Sequence, residues 1–252
     1  MSWALRFHGV GNSSAVELGS AMATIERDGR PWLTIDCGNE GLSACLAQYG
    51  TFPQALFITH AHLDHVSGLE RLFGANYFAS PRRDDTVLYV PAPLVPLLQQ
   101  RIAGYPNVVA EGGANFWDAF RLIPMGGGFW HDGVRLEVFP VRHHWPDTAY
   151  GLRLRGSVAW TGDTRPIPEQ LAKFADAGEL IAHDCALHGN PSHSGIDDLE
   201  REYPQALLAR CMLYHYGSDA DASVLAARGH RVARPGDLIE LDEPRILPVK
   251  HT

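Results

Sequence analysis

The chain has 252 residues, 45% of them hydrophobic, enough for one large domain with an ample core. Twenty-one basic residues against 29 acidic ones leave a formal charge of −8, and no polybasic run occurs, which argues against a large nucleic-acid surface and for a small substrate. No basic start followed by an apolar run appears, no stretch approaches the roughly 18 apolar residues of a membrane span, and Cys37, Cys45, Cys185 and Cys211 stand singly in apolar surroundings, so a cytoplasmic chain with free thiols is expected.

Period-two apolar patterns over residues 3–9 and 15–36, broken at Asp28-Gly29-Arg30-Pro31, predict strands ending in Trp32-Leu33-Thr34-Ile35-Asp36-Cys37-Gly38. A helix over about 42–49 stops at Gly50, and Ala55-Leu56-Phe57-Ile58 reads as a buried strand. That strand runs into Thr59-His60-Ala61-His62-Leu63-Asp64-His65, four metal-ligand side chains within six positions, followed by a short helix from Val66 to Gly74. Imidazole suits zinc and similar ions, and a carboxylate adds charge.

Residues 76–132 say least. A strand over Val87 to Val90 and a helix over Leu94 to Ile102 are expected. The Gly- and aromatic-rich stretch Glu111 to Asp132 reads as a lid or pocket wall, or as a hydrophobic loop packed on its own domain or on a dimer mate. Order resumes with strands at Val134–Val141, leading to His143 and His144, then Ala149–Leu154 and Ser157–Trp160, leading to Thr161-Gly162-Asp163-Thr164. A helix from Pro168 to Ala177 precedes a strand Leu180-Ile181-Ala182 that ends in His183-Asp184. A helical stretch over 196–209, interrupted by Pro204, leads to the strand Cys211–Tyr214 and His215; a helix near 219–228 and a strand Asp237–Leu241 close the chain. His60, His143, Asp163, Asp184 and His215 thus all stand at strand tips, and a sheet whose strand ends share one rim would bring them together. His8, His131, His230 and His251 lack such a context and read as ordinary.

The run His60-x-His62-x-Asp64-His65 resembles the signature of the metallo-β-lactamase superfamily. The resemblance implies one domain over 1–252, an α/β four-layer αββα sandwich with its metal site at one edge of the two sheets. It further implies two divalent cations, with His60, His62 and His143 on one, Asp64, His65 and His215 on the other, and Asp163 between them. Mixed His and Asp ligation favours zinc and admits manganese or iron. His143 is preferred to His144 because Val141-Arg142-His143-x-x-Pro146 is similar to the family spacing, with strand alternation deciding which neighbour faces inward. Asp36-x-Gly38 is similar to the family's brace for the ligand loop, although a plain turn residue would read the same.

Tyr150-Gly151-Leu152-Arg153-Leu154, Trp160-Thr161-Gly162-Asp163-Thr164 and Ile181-Ala182-His183-Asp184 resemble the ribonuclease Z branch, and so does His193-Ser194. Asp184-Cys185 is similar to that branch's cyclic-phosphate phosphodiesterases. The gap from His143 to Asp163 is too short for a basic arm, which with the charge argues against transfer RNA. The implied activity is a dinuclear hydrolase of a small phosphodiester, in which the two cations lower the pKa of bound water. His193 would protonate the leaving group and Asp184 would orient it, with Asp64 counted in catalysis as well as ligation. His183 and His188 are weaker candidates for substrate contact. Rival readings are a lactone, thioester or β-lactam hydrolase on the same scaffold and, more remotely, a non-enzymatic metal-binding or signalling protein. The expected partner is a small molecule, with no nucleic acid or membrane and with a homodimer open.

Overall fold

The computed structural model describes residues 1–79, 86–104, 109–110 and 112–245; Glu111 and His251, both named above, lie outside the described residues. The apolar runs become strands β1 (Trp3–Gly9), β2 (Met22–Arg27), β3 (Arg30–Ile35), β4 (Ala55–Phe57), β5 (Val87–Pro91), β6 (Arg121–Met125) and β7 (Gly128–His131). They continue as β8 (Val134–Pro140), β9 (Tyr150–Leu154), β10 (Val158–Trp160), β11 (Leu180–Asp184), β12 (Cys211–Tyr214), β13 (Arg231–Val232) and β14 (Leu238–Leu241). Two mixed sheets result, ordered β14-β1-β2-β3-β4-β5-β6 and β13-β12-β11-β10-β9-β8-β7.

The two sheets are built alike. β14, β1, β2 and β3 pair antiparallel and β3 through β6 parallel; β7 through β10 pair antiparallel and β10 through β13 parallel. The parallel strands β4, β5, β11 and β12 are buried along their whole length, which is why they read as unbroken apolar runs, whereas β8 alternates buried and half-buried positions. Between the sheets, the Phe7 ring of β1 lies 5.7 Å from Trp160 of β10 and 6.4 Å from Tyr214 of β12, and Phe57 of β4 stacks 6.1 Å from Phe129 of β7. Helices Asn39–Tyr49, Pro168–Phe174 and Asp219–Ala227 pack on the outer faces, each burying one apolar stripe. This is the expected four-layer αββα sandwich. Among the described residues no helix is long and apolar enough to cross a membrane.

Three expectations change. The stretch read as a lid or pocket wall supplies β6 and β7, an edge strand for each sheet, with Gly126-Gly127 as the crossing between them. Edge position explains both its weak alternation and Pro124, whose missing N–H a central strand would not tolerate. Residues expected to begin a strand near 15 instead form a loop with a 3₁₀ turn at Val16–Leu18. The expected helix over 94–102 is a 3₁₀ turn Ala92–Leu94, a helical turn Val95–Leu98 and a π turn Gln99–Ala103.

Candidate metal centre

The carboxyl ends of β4, β10, β11 and β12 open on one edge of the sandwich, and there the two sheets are tied together. Tyr150 N donates to Thr59 O at 2.9 Å, beside an isolated bridge between His60 and Ala149. After β4 the chain turns through His60 and His62 into the helical turn Leu63–Val66, which carries Asp64 and His65. His143 follows β8, Asp163 follows β10, Asp184 ends β11 and His215 follows β12. His60, His62, His143 and Asp163 form one group and Asp64, His65, His215 and Asp163 a second, the donor atoms within each lying within 4.8 Å of one another. Asp163 belongs to both. A third group, Asp163, Asp184, His193 and His215, adjoins them.

The histidines are held so that one nitrogen faces the centre. Thr59 Oγ1 donates to the Asp36 carboxylate at 2.8–2.9 Å and therefore accepts from His60 Nδ1 at 3.0 Å, which leaves the His60 Nε2 lone pair inward. His65 Nδ1 donates to Asp36 Oδ2 at 2.8 Å, and His143 Nδ1 to the Ser192 carbonyl at 3.0 Å. Both again present Nε2 to the centre. Outer partners of this kind fix the ring and its tautomer in metal sites. Asp36 is thus a brace rather than a plain turn residue.

Of the adjacent pair, His143 is buried with Nε2 3.9 Å from Asp163 Oδ2, whereas His144 is exposed and reaches His62 at 3.1 Å and Ser192 Oγ at 3.3 Å but not Asp163. The residues bracketing them are bent rather than extended, so the turn and not strand alternation sets which faces inward. His183 points away from the centre, its Nε2 2.6 Å from Tyr203 Oη and its Nδ1 2.7 Å from the Asp184 carbonyl. Sequence reading missed Thr59, the Ser192 carbonyl and the Thr164 amide, which donates to Asp184 Oδ2 at 2.8 Å. Only Thr59 carried a signal, as the hydroxyl directly before the first ligand-type histidine.

The charge distribution calls for a cation. His60 Nε2, His65 Nε2, His215 Nε2, Asp184 Oδ1 and both Asp163 oxygens are buried without a hydrogen-bond partner. Each such atom costs about 1–3 kcal/mol if left so. Burial pushes His60 well below the ordinary imidazole value, and it pushes His143 down to about 4. Burial also opposes charge on His65 and His215, yet Asp163, with Asp36 or Asp184, raises the first well above its ordinary value and the second to about 10. Burial would likewise raise Asp163, but His215 and His65 hold it well below the usual carboxylate range. Protons here stand in for positive charge that a metal supplies. The donor set, imidazole nitrogens around carboxylates, fits divalent cations.

His193 stands beside this centre. Its Nδ1 donates to Asp184 Oδ2 at 3.0 Å and lies 3.9 Å from Asp163 Oδ2, and its side chain is 21% exposed to a cleft of about 640 Å³. Burial lowers its pKa, but the bond to Asp184 and that group's charge raise it to a net value above the ordinary one. Arg101 lines the same cleft and has no carboxylate partner among the described residues.

A family profile described as "Anti-Pycsar protein Apyc1" matches residues 3–238. A protein of that name from Saccharibacillus brassicae is 30% identical over 257 residues, covering 97% of this chain and 99% of its own length. Another from Bacillus phage BSP38 is 26% identical over 212 residues, covering 75% and 79%. Among solved structures, a diphosphatase described as from the PhnP family superposes with a TM-score of 0.75 at 18% identity, covering 95% of this chain and 97% of that one. That likeness supports the fold.

Proposed function

From the premise that the chain belongs to the anti-Pycsar protein Apyc1 family, metal-dependent hydrolases by fold and donor set, we propose that it is a phosphodiesterase of small cyclic nucleotides. His60, His62, His143 and Asp163 would hold one divalent cation and Asp64, His65, His215 and Asp163 a second, with zinc the first choice. Such ions, when bound, neutralise charge on phosphoryl oxygens and make water a nucleophile near neutral pH.

The observation that carries the reading is His193 against Asp184 at the edge of the two donor groups. Hydrolysis of an alkyl phosphodiester must deliver a proton to the leaving oxygen, whereas the leaving group can be stabilised otherwise in many carbonyl hydrolyses. With Nδ1 tied to Asp184, His193 turns Nε2 toward the cleft, and the carboxylate favours the protonated ring. Asp184 is itself fixed by the Thr164 amide, so the pair is rigid. Arg101 gives the cleft a cation for an anionic substrate. Four buried thiols, the formal charge of −8 and a sequence without a polybasic run support a cytoplasmic enzyme of a small molecule rather than one acting on nucleic acid.

A hydrolysis panel on protein of measured metal content tests this: cyclic nucleotides, bis-p-nitrophenyl phosphate, a lactone and a cephalosporin. Turnover of the cyclic nucleotides with little on the carbonyl substrates is expected. The reverse order would replace the phosphodiesterase by a carbonyl hydrolase.

A further inference from the structure

A second cavity of about 370 Å³ adjoins the metal centre. It shares His62 and Arg101 with the larger cleft, so the two are continuous, and its far wall is Leu97, Trp145 and Thr148. Its size falls in the roughly 300–1,000 Å³ range of small-molecule pockets. Trp145 is the feature that needs a cause. It is 81% exposed, more than any other large apolar side chain among the described residues, and it stands two positions after His143. It lines this cavity beside the metal ligands, and an indole in a pocket wall offers a stacking face to an aromatic ring.

The turn that carries Trp145 is built rather than loose. Thr148 Oγ1 donates to the Trp145 carbonyl at 2.7 Å, Val141 N donates to Ala149 O at 3.2 Å, and Asp147 turns the chain at a φ of 61°, a left-handed conformation that Asp adopts more readily than most residues. The backbone that carries the indole is therefore held beside the metal ligands. Arg101 lines both cavities, where an anionic group in the cleft and a ring in the side pocket would share its guanidinium.

We propose that this side pocket is the nucleobase subsite: the base of a cyclic nucleotide stacks on Trp145 while its phosphate lies at the metal centre and Arg101 bridges the two. The proposal rests on the phosphodiesterase reading. A stacking wall of this kind accepts any base, because every base has a π-face, so the subsite selects for the presence of a base more than for its identity. A second copy of the chain laid over Trp145 is the competing occupant.

The test compares metal-loaded wild type with Trp145→Ala and Trp145→Phe on a nucleoside cyclic phosphate and on a base-free ribose cyclic phosphate, followed by phosphorus NMR. Calorimetric binding of a slowly hydrolysed cyclic nucleotide phosphorothioate gives a second readout that does not depend on turnover. Trp145→Ala should raise KM and the phosphorothioate Kd roughly 5- to 150-fold, the worth of one base–aromatic stack, with kcat nearly unchanged. Trp145→Phe should recover most of that loss, and the base-free sugar should show the same KM in all three proteins. An unchanged KM and Kd in Trp145→Ala would overturn the subsite while leaving the phosphodiesterase intact. Unchanged constants together with a shift from dimer to monomer would assign the indole to a second copy instead. Absence of turnover on both phosphodiesters with turnover of a lactone would overturn the phosphodiesterase reading, and the subsite with it.

Discussion

His193 and His8 are both partly enclosed imidazoles, and their surroundings push their pKa values in opposite directions. His193 lies against Asp184, which favours its protonated form despite burial. His193→Ala removes no residue of the two principal donor groups, so it should retain metal and fold normally. Its kcat on a cyclic nucleotide should fall by roughly 10²–10⁴, the usual worth of a positioned general acid. Loss on bis-p-nitrophenyl phosphate should be much smaller, because p-nitrophenolate leaves without a proton. Equal losses on both substrates would take His193 out of the acid role. His8 sits in β1 with Nε2 2.8 Å from Thr24 Oγ1, and burial pushes its pKa down to about 4 from the ordinary 6.5. Above pH 6.5 the ring is neutral folded and unfolded and contributes nothing to the pH dependence. Between 6.5 and 4 only the unfolded chain takes the proton, so stability falls with pH, by ~3 kcal/mol at the acid end. His8→Gln should flatten that loss, and urea midpoints of both proteins at pH 7.5 and 5 would check it; parallel curves would mean that His8 is not the titrating group.

At the scale of elements, the first helix and the ligand loop are one mechanical unit. Cys37 N donates to His65 O at 2.7 Å, Gly68 N to Cys37 O at 2.8 Å, and Ser67 Oγ accepts from Asn39 N at 3.1 Å, capping helix Asn39–Tyr49 from outside. Gly38 lies inside this clasp, where an added Cβ would press on the Asp64 carbonyl oxygen and the Ser20 side chain. Gly38→Ala should therefore cost about 1–3 kcal/mol, as overpacking does, and should also weaken metal retention by moving Asp64. Gly74→Ala, at a helix end with open space around it, should change neither. Thermal melts with elemental analysis separate the two, and equal behaviour would deny the clasp. The same scale explains what could be read in advance. β4, β11 and β12 are continuous apolar runs with a ligand-type residue at the tip, a pattern visible in the chain itself. Asp36 at a φ of 65° and His215 at 71° owe their place to tertiary hydrogen bonds, such as His215 N to Val10 O at 2.6 Å, which no local pattern encodes. β6 and β7 escaped because an edge strand carries only half the burial that makes alternation legible, and Pro and Gly punctuate them as they do a loop.

Across the whole molecule, the centre joins the two halves of the sandwich. The first sheet sends His60, His62, Asp64 and His65 to it, and the second sends His143, Asp163 and His215. A cation held by both groups is thus a cross-link between sheets, present only in the folded chain, and its binding energy is folding energy. With free metal at 100 to 1,000 times its Kd, the gain is about 2.7–4.1 kcal/mol per ion. For a chain of this size that is roughly 5–15 °C in Tm. Elemental analysis should find about two ions per chain, and chelating both should lower the melting temperature by about twice that amount. Asp163→Ala removes the donor common to both groups, so metal content and the chelator-induced shift should fall together. Stripped of metal, Asp163 still offsets charge: its Oδ2 lies 3.3 Å from His65 Nε2 and from His215 Nε2, whose protonated forms it favours. Removing it leaves those buried charges without their partner, so in chelator Asp163→Ala should melt below wild type, while His193→Ala should keep the full metal-dependent shift. Fewer than one ion per chain with no change on chelation would end the dinuclear reading, and equal melting points for chelated Asp163→Ala and wild type would show that Asp163 serves the fold only through the metal.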